Sequence, residues 1–288
     1  MNLRIRTLSR LAITLAVGLA VLTVPLLASE VAADAHTARI ADASYAPGTR
    51  PTVILIHGAW ADSLSWHGVI QRLQHDGYTV IAAPNPLGGL QQDSETVSDL
   101  LQTIQGPIVV VGHSYGGAVM TNAAYGNPNV KALVDVDGFL PAQGESVFQL
   151  TGAQPGSCLT SEPQSDLFNA VAVPGAPTGD DDLYVKASVF DSCFANDLSP
   201  AQAQIAEAAQ RPLLASAGTD VSGPPAWKSI PTWDVVGTID KVIPPAEQLY
   251  MAHRADAHVI EVRAGHLSMV SQPATVTAVI EAAAHATA

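Results

Sequence analysis

A chain of 288 residues, 48% hydrophobic and only 14% charged, carries ample apolar material for a packed interior, which excludes intrinsic disorder. Its 13 Lys and Arg stand against 26 Asp and Glu, a formal net charge of −13. Without clustered basic residues to neutralise phosphates, nucleic-acid binding is excluded as a main role.

The amino terminus reads as a targeting segment. Arg4, Arg6 and Arg10 precede an apolar stretch from Leu11 to Leu27, and Ala33-Asp34-Ala35 offers a small-residue cleavage site. This order predicts a secretory signal peptide over residues 1–35 and a secreted or periplasmic protein, with an uncleaved anchor as the rival reading. After cleavage no stable membrane association is expected. Residues 36–50 form a polar linker, and one domain is expected over 51–288. Export makes a disulfide between the two cysteines, Cys158 and Cys193, the expected pairing, with two buried thiols as the alternative.

From residue 51 strands and helices alternate. Val53–Ile56 is a continuous apolar run, the pattern of a strand buried on both faces. Leu64, Val69, Ile70 and Leu73 then recur at helical spacing over 63–76. A strand at Tyr78–Ala82, an amphipathic helix at 93–105, a strand at Ile108–Val111, a helix at about 115–125 and a strand at Val130–Val136 follow. Between about 141 and 228 the chain turns rich in Gly, Pro, Ser and Asp, with helical pieces expected near 183–191 and 200–210. Alternation resumes with a strand at Thr232–Val236, a helix at 245–254, a strand at Val259–Val262 and a helix at 274–284. The pattern predicts an α/β fold: a mostly parallel sheet with helices on both faces and a cap insertion at about 141–228, over the carboxyl edge where such folds take ligands.

Gly112-His113-Ser114-Tyr115-Gly116 joins an apolar strand to a small-residue helix. Such a turn must be tight, and it presents a serine hydroxyl at a helix amino terminus. A hydroxyl needs a base, and His266, just past the last strand, is the candidate. The imidazole in turn needs a carboxylate. Asp240, after strand Thr232–Val236, is preferred, and Asp137, after the fourth strand, is the rival. His57 and His113 flank glycine turns and are read as structural. The oxyanion hole is assigned to the backbone amides of Ala59 and Tyr115. Trp60, Phe139 and Leu140 are candidates for an apolar substrate pocket, simple core packing being the alternative. No histidine pair has zinc-ligand spacing with a carboxylate, so a metal site is not expected. With an unperturbed histidine, activity is expected to rise near pH 6–7.

The order Ser114, Asp240, His266 is that of the α/β-hydrolase superfamily. Three segments give a narrower resemblance: Ile56-His57-Gly58-Ala59-Trp60, Val111-Gly112-His113-Ser114-Tyr115-Gly116-Gly117, and Gly265-His266-Leu267-Ser268-Met269 before Gln272-Pro273. They resemble bacterial relatives of the plant methylesterase and hydroxynitrile lyase group. The resemblance implies a cofactor-free Ser-His-Asp site under a cap, with Ser114, His266 and Asp240 in those places and a small-molecule ester as substrate. The lyase members carry a Thr at the Gly58 position and a Lys at the Leu267 position, so the resemblance implies hydrolysis. A non-hydrolytic use of the triad (cyanohydrin cleavage or perhydrolysis) and a catalytically silent binding protein are the other readings.

Overall fold

Four consecutive residues with no exposed surface, Val53 to Ile56, can lie only in the middle of a sheet covered on both sides. The structure, a computed structural model, describes residues 50–160 and 163–287. The signal segment expected at 1–35, and all but the last residue of the 36–50 linker, lie outside the described residues.

The first half of the core runs β1 (Thr52–Ile56), α1 (His67–His75), β2 (Val80–Ala82), α2 (Leu90–Gln102), β3 (Ile108–His113), α3 (Tyr115–Ala123) and β4 (Val130–Val136). The intervening segment contributes α4 (Val147–Thr151), α5 (Gln164–Leu167), β5 (Phe168–Ala172), β6 (Asp181–Val185), α6 (Ala187–Val189), α7 (Pro200–Ala208), β7 (Leu213–Leu214) and α8 (Ala215–Thr219). The core resumes with β8 (Thr232–Gly237), α9 (Pro245–Arg254), β9 (His258–Val262), α10 (Ser268–Ser271) and α11 (Pro273–Ala286).

The large sheet has the order β2-β1-β3-β4-β8-β9, and every pairing in it is parallel. The order of strand addition reverses at β1: β2 is added on one side and β3 on the other. Right-handed crossovers then send α1 to one face and α2 and α3 to the opposite one. α1 packs against α11, and α2 against α3. The carboxyl ends of β1 and β3 flank the reversal, the position at which open parallel sheets bind ligands.

The sequence pattern and the structure part company at several edges. The strand expected at Tyr78–Ala82 shortens to β2, and the helix expected from 93 begins at Leu90. The helix expected over 63–76 splits into a tight turn at Ser63–Trp66, capped by Asp62, and α1. The larger correction is in the insertion. The stretch 183–191, expected to be helical, opens as β6, which pairs antiparallel with β5 and with β7 in a separate three-stranded sheet. Only Ala187–Val189 and a wide π turn at Phe190–Phe194 are helical there. Leu183 pairs with Ala170 on β5 and Leu213 on β7, partners outside its own segment that local periodicity does not register.

Candidate active site

Ser114 stands between the last residue of β3 and the first of α3 with φ +55° and ψ −126°. A positive φ is costly for a side chain of this type and persists only where the surroundings enforce it. Here the packing does so. A Cβ on Gly112 would come within 2.5 Å of the Gly116 carbonyl oxygen, and one on Gly116 within 2.6 Å of the Ile56 carbonyl oxygen. The turn can therefore close only with glycine at both positions. The Ser114 carbonyl accepts from the Gly117 amide (2.9 Å) and the Phe139 amide (3.2 Å), and its own amide donates to Val136 (3.3 Å).

The hydroxyl of Ser114 lies 2.9 Å from Nε2 of His266, whose Nδ1 lies 2.8 Å from Oδ2 of Asp240. Among the described residues every other bond to the Asp240 carboxylate is also donated to it: Val242 N–H (2.7 Å) and Ile243 N–H (3.1 Å) to Oδ1, and the Gln248 side-chain amide (2.7 Å) to Oδ2. Burial pushes the Asp240 carboxyl well up, while those amide donors pull it back. A carboxyl proton would face donors on both oxygens, so the geometry suits the carboxylate with His266 carrying its proton on Nδ1. Burial also lowers His266 from its ordinary value to about 3. Its Nε2 is therefore unprotonated and free to accept a proton at neutral pH.

Among the described residues Asp137 makes no hydrogen bond to the imidazole. Its Oδ2 accepts from the backbone amide of Ser268 at 2.9 Å, two residues beyond His266. His113, read from sequence only as structural, donates from Nε2 to the His266 carbonyl (2.8 Å). Burial, first, and the neighbouring His266 hold His113 well below its ordinary pKa, so it is neutral. The loop carrying His266 is thus held on both sides by buried side chains from the ends of β3 and β4. His57 Nδ1 donates to the adjacent Gly58 carbonyl (2.9 Å), and the His57 carbonyl accepts from the Asn85 side-chain amide (2.7 Å).

Gly58 lies against the nucleophile turn, since a Cβ there would meet the Ser114 Cβ at 2.6 Å. The loop after β1 therefore brings Ala59 to the serine. The Tyr115 amide opens α3 and has no intrahelical acceptor. Among the described residues neither the Ala59 nor the Tyr115 amide has a hydrogen-bond acceptor. The Tyr115 phenol donates to buried Asp93 at 2.7 Å, so the side chain is anchored on α2.

Trp60, with φ +54°, stacks on Phe168 (ring centroids 5.2 Å apart) and meets Phe194 edge-on (5.2 Å). Phe194 in turn lies edge-on to the His266 ring at 5.5 Å. Phe168 and Phe194 went unnoticed in the sequence because they belong to the insertion; the i, i+4 spacing of Phe190 and Phe194 was the available signal. Phe139 is buried with its amide tied to Ser114, and Leu140 is fully buried with its carbonyl facing Arg254 (2.9 Å). Cys158 and Cys193 form a disulfide with Cα atoms 6.2 Å apart. Ser114 and His266 are 3% and 0% exposed, with Phe194 of the insertion against the His266 ring.

Residues 53–279 match the model of the alpha/beta hydrolase family. The chain is an alpha/beta hydrolase. It is 31% identical over 110 residues to a carbendazim hydrolyzing esterase of Nocardioides sp., which covers 34% of this chain and 46% of that one. The match thus spans about half the length of that relative. Among solved structures, the pyrethroid hydrolase PytH superposes with a TM-score of 0.64 at 24% identity, covering 82% of this chain and 98% of the other. Polyneuridine aldehyde esterase gives 0.67 at 16%, with 81% and 99% covered. These structural likenesses establish the fold.

Proposed function

We propose that this alpha/beta hydrolase is an exported serine carboxylesterase acting on small to medium apolar carboxylic esters. The observation that carries the reading is the unbroken hydrogen-bonded line from Asp240 through His266 to Ser114. Ser114 Oγ attacks the ester carbonyl carbon as His266 Nε2 takes its proton. The Ala59 and Tyr115 amides receive the developing oxyanion, each worth about 3 kcal/mol of transition-state binding by the usual measure of such donors. The tetrahedral centre collapses, the C–O bond to the alcohol breaks, and His266 returns the proton to the departing oxygen. Water, deprotonated by the same nitrogen, then attacks the acyl carbon; the bond to Ser114 Oγ breaks as His266 returns that proton to the serine oxygen, and the acid is released.

Similarity to a carbendazim hydrolyzing esterase and to the pyrethroid hydrolase supports hydrolysis as the chemistry. The aromatic group of Trp60, Phe168 and Phe194 beside His266 supports an apolar substrate. The Cys158–Cys193 disulfide supports export of the domain at 51–288 after removal of residues 1–35. Among the described residues no helix is long and apolar enough to cross a membrane.

Ser114→Ala is expected to lower p-nitrophenyl ester turnover by roughly 10⁴–10⁶-fold with the fold intact. Labelling of the parent, but not the variant, by a fluorophosphonate probe would accompany it. A folded parent that takes no label overturns the reading in favour of a silent binding protein. Formation of aldehyde and cyanide from mandelonitrile, without ester hydrolysis, would move it to lyase chemistry.

A further inference from the structure

The loop that carries Asp240 is gripped from outside. Its carbonyls at Ile239, Lys241 and Val242 accept from the Asn196 side-chain amide (2.9 Å), the Cys158 backbone amide (2.8 Å) and the Ser157 hydroxyl (2.7 Å). All three donors belong to the cap insertion. Lys241 Nζ returns a bond to the Ser192 carbonyl at 3.1 Å.

Two of these contacts are made by the peptide groups that hold the acid. The group between Lys241 and Val242 receives Cys158 on its carbonyl and gives its N–H to Asp240 Oδ1. The next, between Val242 and Ile243, receives Ser157 on its carbonyl and gives its N–H to the same oxygen. A peptide group is planar and stiff, so displacing its carbonyl end displaces its amide end. A bond accepted at the carbonyl also polarises the N–H opposite it, strengthening its hold on the carboxylate.

The gripping residues come from two cap segments, 157–158 and 192–196, and the Cys158–Cys193 bond ties them together. The second segment reaches the base as well. Phe194 lies edge-on to His266, and a Cβ at Gly265 would collide with the side chains of Asn196 and Asp197. One covalently closed unit therefore touches both the acid loop and the base loop.

We infer that the disulfide-closed cap turn sets the position of Asp240 through Ser157 and the Cys158 amide, so that the Cys158–Cys193 bond governs turnover as well as stability. Ser157 and Asn196 are positioning residues in this arrangement. The inference rests on the proposed role of Asp240 in the triad.

The test compares the parent with Ser157→Ala, Ser157→Thr, Asn196→Ala and the double variant Cys158→Ser/Cys193→Ser, using a p-nitrophenyl ester at neutral pH. The expected result is a fall in kcat of roughly 10- to 100-fold for the double variant and a smaller fall for Ser157→Ala and Asn196→Ala. KM should stay within about twofold, and Ser157→Thr, which keeps the hydroxyl, should recover most of the loss. Circular dichroism and thermal transitions identify any variant that has merely unfolded; should the double variant not fold, Ser157→Ala and Asn196→Ala decide. Folded variants with the parent's kcat, or losses confined to KM, overturn the inference. Ser114→Ala in the same assay separates this from failure of the esterase reading: an active Ser114→Ala enzyme removes the triad itself, whereas an inactive one beside fully active cap variants removes only the cap's role.

Discussion

At Gly58 a single methyl group decides the geometry of the nucleophile. A Cβ added there would sit 2.6 Å from the Ser114 Cβ and 2.7 Å from the His113 carbonyl oxygen. The obstacle on one side is backbone and on the other the strained serine itself, so neither can yield without moving the turn. Gly58→Ala is therefore expected to cost most of the ester turnover, on the order of 10²-fold, by displacing reacting atoms that tolerate little error. Gly58→Thr should be worse. It would not install lyase chemistry, although the lyase members of the resembling group carry a threonine here. Steady-state hydrolysis and mandelonitrile cleavage by both variants check this, and a fully active Gly58→Ala enzyme would show that the close approach is immaterial. The glycine stands in the Ile56–Trp60 segment that carries the family resemblance; which atoms approach it is not legible there, because His113 and Ser114 lie more than fifty positions further along.

Elements with a local signature were legible, and those made by distant partners were not. The continuous apolar runs of β1 and β3 and the glycine turn after β3 each announce themselves within a dozen residues. β6 does not: it is paired with β5 and β7, and the Leu183 carbonyl accepts from Trp60 Nε1 at 2.7 Å, a partner 123 positions away. The same limit left two aspartates at two strand ends as rivals. Asp240 leaves the β8 end and reaches the imidazole, whereas Asp137 leaves the β4 end and holds the Ser268 amide. Their substitutions should differ accordingly. Asp240→Asn is expected to lower kcat by about 10⁴-fold, because an amide cannot hold the imidazole in the required tautomer. Asp137→Asn keeps an oxygen that can accept from Ser268 and should retain activity within roughly tenfold of the parent. Equal or reversed losses in kcat would transfer the acid's role to Asp137.

Across the whole molecule the formal charge of −13 counts every carboxyl as ionised, and the interior contradicts that count. Val134-Asp135-Val136-Asp137 alternates as a half-exposed strand would, yet Asp135 is fully buried in β4 and faces its register partner Asp234, 1% exposed, in β8. Neither oxygen of Asp135 has a hydrogen-bond partner among the described residues, and a Cβ at Gly117 or Gly138 would collide with this carboxyl. Burial, and then the nearness of Asp234 and Asp137, pushes Asp135 well above the usual carboxylate range; burial, and then Asp137, does the same to Asp234. In the folded protein these groups hold protons that the unfolded chain releases above about pH 4. Where the folded state binds more protons, stability falls as pH rises, by at most about 1.4 kcal/mol per pH unit for each group, until the folded pKa is passed. His113 and His266, both depressed by burial, act in the opposite sense below about pH 6.5, because there the unfolded chain binds the extra proton. The aspartate contribution is isolated by difference. Asp135→Asn and Asp234→Asn replace a buried neutral acid with a neutral amide of the same shape, so their thermal transitions should decline less steeply than the parent's between pH 5 and 8. Denaturation curves measured across that range, with the disulfide intact, provide the comparison; parallel pH dependences in parent and variants would mean that both carboxyls are already ionised inside the fold.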